Sequence, residues 1–118
     1  MKAELKGKIE LLSDDREQAV ILSLQREDAA VFLAFLTALE LGKQKSFRVV
    51  SGKDEAAFSG TAEIQCRISC AGKTERFTFS PEQTEVIKCC CLDALLRSYE
   101  KPHVDFDFDH RCICIGFE

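Results

Sequence analysis

Apolar residues alternate with polar ones in several segments of the chain, and this alternation restricts the fold more than any other feature. In residues 61–69, Ala62, Ile64, Cys66 and Ile68 occupy every second position. Side chains at every second position of an extended chain point to the same face, so such a segment is typical of a strand with one buried face. The predicted strands cover residues 3–12, 19–24, 47–50, 61–69, 74–79, 104–108 and 111–117.

Two segments instead repeat their apolar residues with the period of a helix. Residues 27–41 form the first, and Gly42 follows it at a position where helices commonly end. The second begins at Ser80-Pro81-Glu82-Gln83, which offers an N-cap serine, a proline at the first helical position and a glutamine at the third. We predict that it runs to about Tyr99. Residues 51–60 carry two glycines and little periodicity, so they are predicted to form the longest loop.

The resulting order of elements is β-β-α-β-β-β-α-β-β, which predicts an α+β fold in a single domain covering residues 1–118. We expect both helices to pack on one continuous antiparallel sheet. When the sequence is shifted by 55 residues against itself, the elements superpose, which indicates an internal pseudo-repeat with halves of about 1–55 and 56–118. The repeat is inferred from the order of elements and not from residue identity.

Composition and charge argue against several classes of protein. The chain begins Met1-Lys2-Ala3-Glu4 without the apolar run of a signal peptide, and none of its stretches approaches the ~18 apolar residues of a membrane span. We therefore expect a cytoplasmic protein that does not meet a membrane. The net charge is −4 and the sequence has no basic block, so we expect no duplex nucleic acid partner. The motifs of phosphate-binding loops, serine hydrolases and zinc proteases are missing, which favours a protein that is not an enzyme.

Seven cysteines are unusual for this length, and they favour a reducing compartment. The number is odd and Cys89, Cys90 and Cys91 are consecutive, so a complete set of disulfides cannot form and we expect free thiols. Strand alternation places Cys66 in the core, and helical spacing places Cys91 there as well. We expect Cys70, Cys89 and Cys90 at the periphery.

The last two cysteines belong to the predicted C-terminal hairpin. With Asp109-His110 as a two-residue turn, the phenylalanines of one strand lie opposite the isoleucines of the other. The other face then carries residue types that bind zinc or another transition metal, namely His103, Asp105, Asp107, Cys112 and Cys114. Neighbours on one strand face are ~7 Å apart, so at most a cross-strand Asp–Cys pair chelates directly. The alternative interpretation is a solvated acidic strand face with two half-exposed cysteines.

The first helix carries more apolar residues than one buried face requires. Leu33 and Leu41 fall on the side opposite the predicted core, next to Ala30 and Thr37. Either a loop such as residues 51–60 covers these leucines, or they are two isolated exposed leucines, or they contact a partner chain, most simply a second copy. The second helix is predicted to be normally amphipathic. Its buried face is predicted to contain Ile87, Cys91 and Leu95.

These observations favour a small, non-enzymatic protein-interaction module of the cytoplasm that has no cofactor, self-associates and meets a protein partner of unknown identity. The first alternative is a metal-binding protein with its site on the C-terminal hairpin. The second is a single-stranded nucleic-acid binder that uses the open face of the sheet. There, four basic residues form a small patch if their strands adjoin, namely Lys6, Lys8, Arg67 and Arg76.

Overall fold

Strands and helices follow one another as the apolar pattern indicates, with one strand more than predicted. The computed structural model describes residues 3–14, 16–97 and 100–118. Its elements are β1 (Glu4–Ser13), β2 (Gln18–Leu24), α1 (Ala29–Glu40), β3 (Ser46–Ser51), β4 (Asp54–Ser59), β5 (Ile64–Cys70), β6 (Lys73–Phe79), α2 (Pro81–Leu96), β7 (His103–Phe108) and β8 (Arg111–Phe117). A short 3₁₀ turn over Arg26–Asp28 leads into α1.

The eight strands of the described residues form one sheet in the order β6-β5-β4-β3-β1-β2-β8-β7. Most neighbours pair antiparallel, but β1 pairs with β3 and β2 with β8 in the parallel direction. The prediction of an antiparallel sheet is therefore wrong, because the sheet is mixed. After α1, the chain returns on the far side of β1 and not beside β2, so β3 meets a strand of its own direction.

The two edge strands, β6 and β7, approach each other and nearly close the sheet into a barrel. Phe77 of β6 lies against Phe108 of β7, with ring centroids 5.5 Å apart. Arg111 bridges the same seam, since its guanidinium donates a hydrogen bond to the carbonyl oxygen of Arg76 at 2.5 Å. The sheet therefore has a concave side that encloses the core and a convex side that faces solvent.

Residues 51–60, predicted to be a loop, contain strand β4. Gly52 adopts a φ of 60° in the tight turn that joins β3 to β4. Ala56 and Phe58 are buried and alternate with less buried neighbours. The strand was missed because two alanines and three polar residues leave Phe58 as its one large apolar side chain.

The core lies between the two helices and the concave side of the sheet. Phe32 of α1 is fully buried, and its ring meets those of Phe47, Phe58 and Phe117 at centroid distances of 5.5, 5.5 and 6.0 Å. These rings belong to β3, β4 and β8, so α1 joins strands that are distant in the sheet. This arrangement confirms a single α+β domain with two helices. The pseudo-repeat is not confirmed and stays a prediction. The shift of 55 residues places β1 on β5 and β3 on β7. In the described sheet β1 pairs with β3, whereas β5 and β7 are not neighbours.

The two helices are in contact and lie antiparallel. Arg26, just before α1, donates a hydrogen bond from Nη1 to the carbonyl oxygen of Ala94, near the end of α2, at 3.1 Å. At the other end of the pair, Lys88 of α2 forms an ion pair with Glu40 of α1 at 2.8 Å. The end of each helix therefore lies beside the start or the middle of the other.

The predicted start of α2 at Ser80-Pro81 and the predicted end of α1 before Gly42 are confirmed. Ser80 Oγ accepts a hydrogen bond from the Gln83 amide at 3.1 Å, and Gln83 Oε1 accepts one from the Ser80 amide at 2.9 Å, which is the expected capping box. Gly42 follows α1 with a φ of 69°. The second helix ends at Leu96, before the predicted end at about Tyr99, because Arg97 adopts the left-handed conformation with a φ of 57°. Tyr99 itself lies outside the described residues. Within the described ranges, neither helix has the length and apolar character that crossing a membrane requires.

Candidate functional site

The exposed side of α1 carries most of the interface residues predicted from the sequence. Ala30, Thr37 and Leu41 are exposed, and Leu41 shows 67% of its surface. Leu33 is half-buried and packs against the core. Residues 51–60 do not act as a covering loop, because they form part of the β3–β4 hairpin in the sheet.

The second helix exposes more large apolar side chains than the first. Leu92, Leu95 and Leu96 are exposed by 46, 41 and 74%. The prediction that Leu95 lies on the buried face beside Cys91 is therefore wrong for Leu95, whereas Cys91 is fully buried. The second helix packs on β7 and β8. The side of α2 that faces the core contains Cys90, which is buried, whereas Leu95 faces solvent.

The two helices lie side by side, and each leaves part of its surface exposed to solvent. We call this surface the helical face, and its members are Ala30 and Thr37 of α1, Leu41 directly after α1, and Cys89, Leu92, Leu95 and Leu96 of α2. The contact between Arg26 and Ala94 places Ala30 and Leu96 at the same end of the helix pair. Along α2, Cys89, Leu92 and Leu96 follow one another at intervals of three and four residues, the spacing of a seam between packed helices.

All seven cysteines are free thiols. Cys66 and Cys91 are buried as predicted, and burial raises the pKa of Cys91 to about 12. Cys70 and Cys90, expected at the periphery, are buried as well. Cys70 continues the inward alternation of β5, while Cys90 is turned inwards by the seating of α2. Cys89 is exposed as predicted.

The C-terminal hairpin has the register predicted from the sequence. Asp105 lies opposite Cys114 and Asp107 lies opposite Cys112. The turn between the strands has two residues and begins at Asp109, which adopts a positive φ of 37°. Each predicted cross-strand Asp–Cys pair is therefore present on the convex side of the sheet.

The surroundings of these two thiols disfavour a metal thiolate. Burial and a hydrogen bond with Asp105 raise the pKa of Cys114 to about 12. Burial, followed by the negative charge of Asp107, raises the pKa of Cys112. Zinc binds the thiolate form of cysteine, whereas these shifts favour the protonated thiol.

The histidine of the proposed metal site adds no third ligand to either pair. Nε2 of His103 lies 3.7 Å from Oδ2 of Asp105, but His103 is opposite Gly116 and not opposite a cysteine. In the described part of the chain, no three His, Cys, Asp or Glu side chains are grouped so that they could hold a metal ion. The metal site stays a prediction.

The four basic residues of the nucleic-acid hypothesis do not form one patch. Arg67 lies directly opposite Arg76. Lys6 and Lys8 lie on β1, which β3 and β4 separate from β5. The basic residue that aligns with the two arginines is Arg48 of β3. Sequence alternation places Arg48 on the convex side, but its alignment depends on a strand order that the sequence did not reveal.

The helical face and the row of arginines are thus two surfaces of the described residues where the fold gathers chemically similar side chains. They belong to opposite sides of the sheet, because α1 packs on Phe47 while the next residue, Arg48, points away from the core. No protein-family model matches this chain, and no curated protein or solved structure matches it significantly.

Proposed function

We propose that this chain is a non-enzymatic protein-interaction module of the cytoplasm that associates with a second copy of itself through the helical face. The observation that carries the proposal is the exposure of Leu92, Leu95 and Leu96 on one helix. Full burial of a leucine side chain stabilises by about 1.5–3 kcal/mol relative to leaving it exposed. A surface with three neighbouring exposed leucines therefore gains free energy when another chain covers it.

The chemistry of the helical face favours a second copy as the occupant. A two-fold interface pairs a patch with itself, so its residues must be compatible with their own kind. Cys89, Leu92 and Leu96 are uncharged, and their spacing lets two copies of α2 interdigitate. Lys88 adds no unpaired charge at the margin, because it is already held by Glu40 at 2.8 Å.

The thiols support the rest of the proposal. Seven free thiols persist in a reducing compartment, which supports the cytoplasm. A nucleophilic cysteine needs a lowered pKa, whereas burial and nearby carboxylates raise the pKa of both Cys112 and Cys114. The raised pKa of both thiols supports a role that does not depend on cysteine catalysis.

Light scattering during gel filtration, over a range of protein concentrations, tests the association. The wild-type chain is expected to reach twice the mass of the monomer as its concentration rises. Leu92→Glu and Leu96→Glu place a carboxylate in the helical face, and each is expected to weaken dimerisation at least about tenfold, because the carboxylate loses its hydration in the interface. Both side chains are exposed in the single chain, so folding is expected to survive.

Leu12→Glu is the matched control for these variants. Leu12 is 53% exposed near the end of β1, away from the helices, so the same change is expected to leave the dimer intact. A wild-type chain that stays monomeric at every concentration contradicts the proposal. If Leu12→Glu dissociates the dimer as much as Leu92→Glu does, the proposal is contradicted as well, since the location of the leucine would then not matter.

A further inference from the structure

Three arginines lie in one row across the strands on the convex side of the sheet. Arg48 of β3 is opposite Ala57 of β4, Ala57 is opposite Arg67 of β5, and Arg67 is opposite Arg76 of β6. Their side chains point away from the core, because each is exposed and alternates with more deeply buried neighbours along its strand. Adjacent strands are about 4.8 Å apart, so the row spans about 15 Å.

A groove of about 440 Å³ follows this row. The small side chain of Ala57 leaves room between Arg48 and Arg67, where the carboxylate of Glu55 contacts both guanidinium groups. The next row of the same surface consists of uncharged side chains with hydroxyl or amide groups. We call the two rows the arginine groove, and the second row contains Ser46, Ser59, Gln65 and Thr78.

Two of the three guanidinium groups already bind carboxylates of the same chain. Glu55 reaches Arg48 at 3.0 Å and Arg67 at 3.3 Å. Glu4 reaches Arg48 at 2.5 Å. The guanidinium of Arg76 forms no ion pair and no hydrogen bond with any residue that the structure describes. Glu55 therefore shows that a carboxylate fits between two of these arginines, and Arg76 retains its full capacity to bind another.

The pairing of Arg67 with Arg76 favours a bound anion. Like charges directly opposite each other on neighbouring strands are destabilising. Glu55 lies on the β4 side of Arg67, so it does not separate Arg67 from Arg76 on the other side. An anion between the two guanidinium groups removes the repulsion and accepts charge-assisted hydrogen bonds from both.

We infer that the arginine groove binds an acidic segment of a partner protein, with a carboxylate held between Arg67 and Arg76. The planar fork of arginine matches a carboxylate with two hydrogen bonds, and the neighbouring polar row offers hydroxyl and amide groups to the rest of the segment. Single-stranded nucleic acid is held by stacking of bases on aromatic side chains. The two rows, whose residues are all described, contain none, and the two phenylalanines that also line the groove, Phe58 and Phe77, are buried beneath it.

Fluorescence anisotropy of a labelled oligoglutamate peptide, titrated with the full chain at low salt, tests this inference. Saturable binding is expected, and added sodium chloride is expected to weaken it because the contact is between exposed charges. Arg76→Gln is expected to weaken binding about tenfold, because hydrogen bonds to a charged group are lost. Lys8→Gln removes the same charge from β1 on the same side of the sheet and is expected to change the affinity less than about twofold.

Three results would overturn the inference. They are the absence of saturable binding, an equal loss of affinity in Arg76→Gln and Lys8→Gln, and displacement of the peptide by an oligothymidylate at a lower concentration than by unlabelled oligoglutamate. Circular dichroism and urea unfolding of Arg76→Gln test whether the variant is folded, and a folded variant is expected because Arg76 is exposed. Light scattering separates this site from the helical face, because Arg76→Gln is expected to have the oligomeric state of the wild-type chain.

Discussion

Phe32 is the side chain whose removal is expected to damage the fold most. It is fully buried, and its ring packs edge-to-face on Phe47, Phe58 and Phe117 at 5.5, 5.5 and 6.0 Å. These partners come from β3, β4 and β8. The single ring therefore links α1 to both halves of the sheet, and Phe32→Ala removes all three contacts at once.

The expected loss can be worked from these contacts. Truncation of a buried phenylalanine to alanine costs about 3–5 kcal/mol, which includes the cavity that remains. Each edge-to-face pair adds about 0.5–1.5 kcal/mol beyond the burial of area, so three pairs place Phe32→Ala at the upper end, about 5 kcal/mol. Because domains are stable by about 5–15 kcal/mol, this variant is expected to be partly or wholly unfolded. Phe32→Leu keeps most of the volume and is expected to lose about 1–2 kcal/mol.

Urea unfolding followed by far-ultraviolet circular dichroism measures these losses. The matched control is Phe106→Ala, since Phe106 is half-buried at the seam and its ring packs 5.5 Å from that of Phe79. We expect that control to lose about 2 kcal/mol, because less surface is uncovered. If Phe32→Ala loses less than about 2 kcal/mol, or no more than Phe106→Ala, then the ring does not hold α1 on the sheet and the reasoning is refuted.

Four further predictions concern other parts of the chain. Ser80→Ala removes the N-cap of α2, and urea unfolding is expected to show a loss of about 1 kcal/mol. Gly60→Ala is expected to lose more than about 2 kcal/mol in the same assay, since Gly60 has a φ of 100° and an added Cβ lies 2.2 Å from the carbonyl oxygen of Glu63. A thiol reagent is expected to modify Cys89 before the buried cysteines, with the order read by mass spectrometry of peptides. Burial raises the pKa of Cys91 to about 12. Between about pH 9, where this thiol ionises in the unfolded chain, and about pH 12, the folded chain keeps a proton that the unfolded chain loses, so the free energy of unfolding from urea curves is expected to fall as the pH rises.

Features that depend on neighbours in the chain could be predicted from the sequence. The capping box joins Ser80 to Gln83, three residues away, and the hairpin register follows from a two-residue turn that sets Asp105 against Cys114. Hydrogen bonding and alternation act over a few residues in both cases, so the local pattern was sufficient.

Features that depend on distant segments could not be predicted in the same way. Arg48 and Arg67 align only because β4 lies between β3 and β5, and β4 gave too weak an apolar signal to be recognised. On α2, Cys90 and Leu95 both lie at the edges of the apolar stripe. Which of them is buried depends on the side of the helix that meets β7 and β8. The spacing of Cys89, Leu92 and Leu96 was present in the sequence, but its significance depends on their exposure.

The two proposed surfaces do not compete, because consecutive residues of the same strands serve opposite sides of the sheet. Phe47 and Phe58 point inwards and hold α1, whereas Arg48 and Ala57 point outwards into the arginine groove. A second copy on the helical face would therefore leave the groove of each chain open. Such a dimer presents two grooves, and an acidic partner long enough to reach both gains about 10²–10⁴-fold in affinity without any new contact. Self-association through leucines on one side would in this way strengthen recognition by arginines on the other.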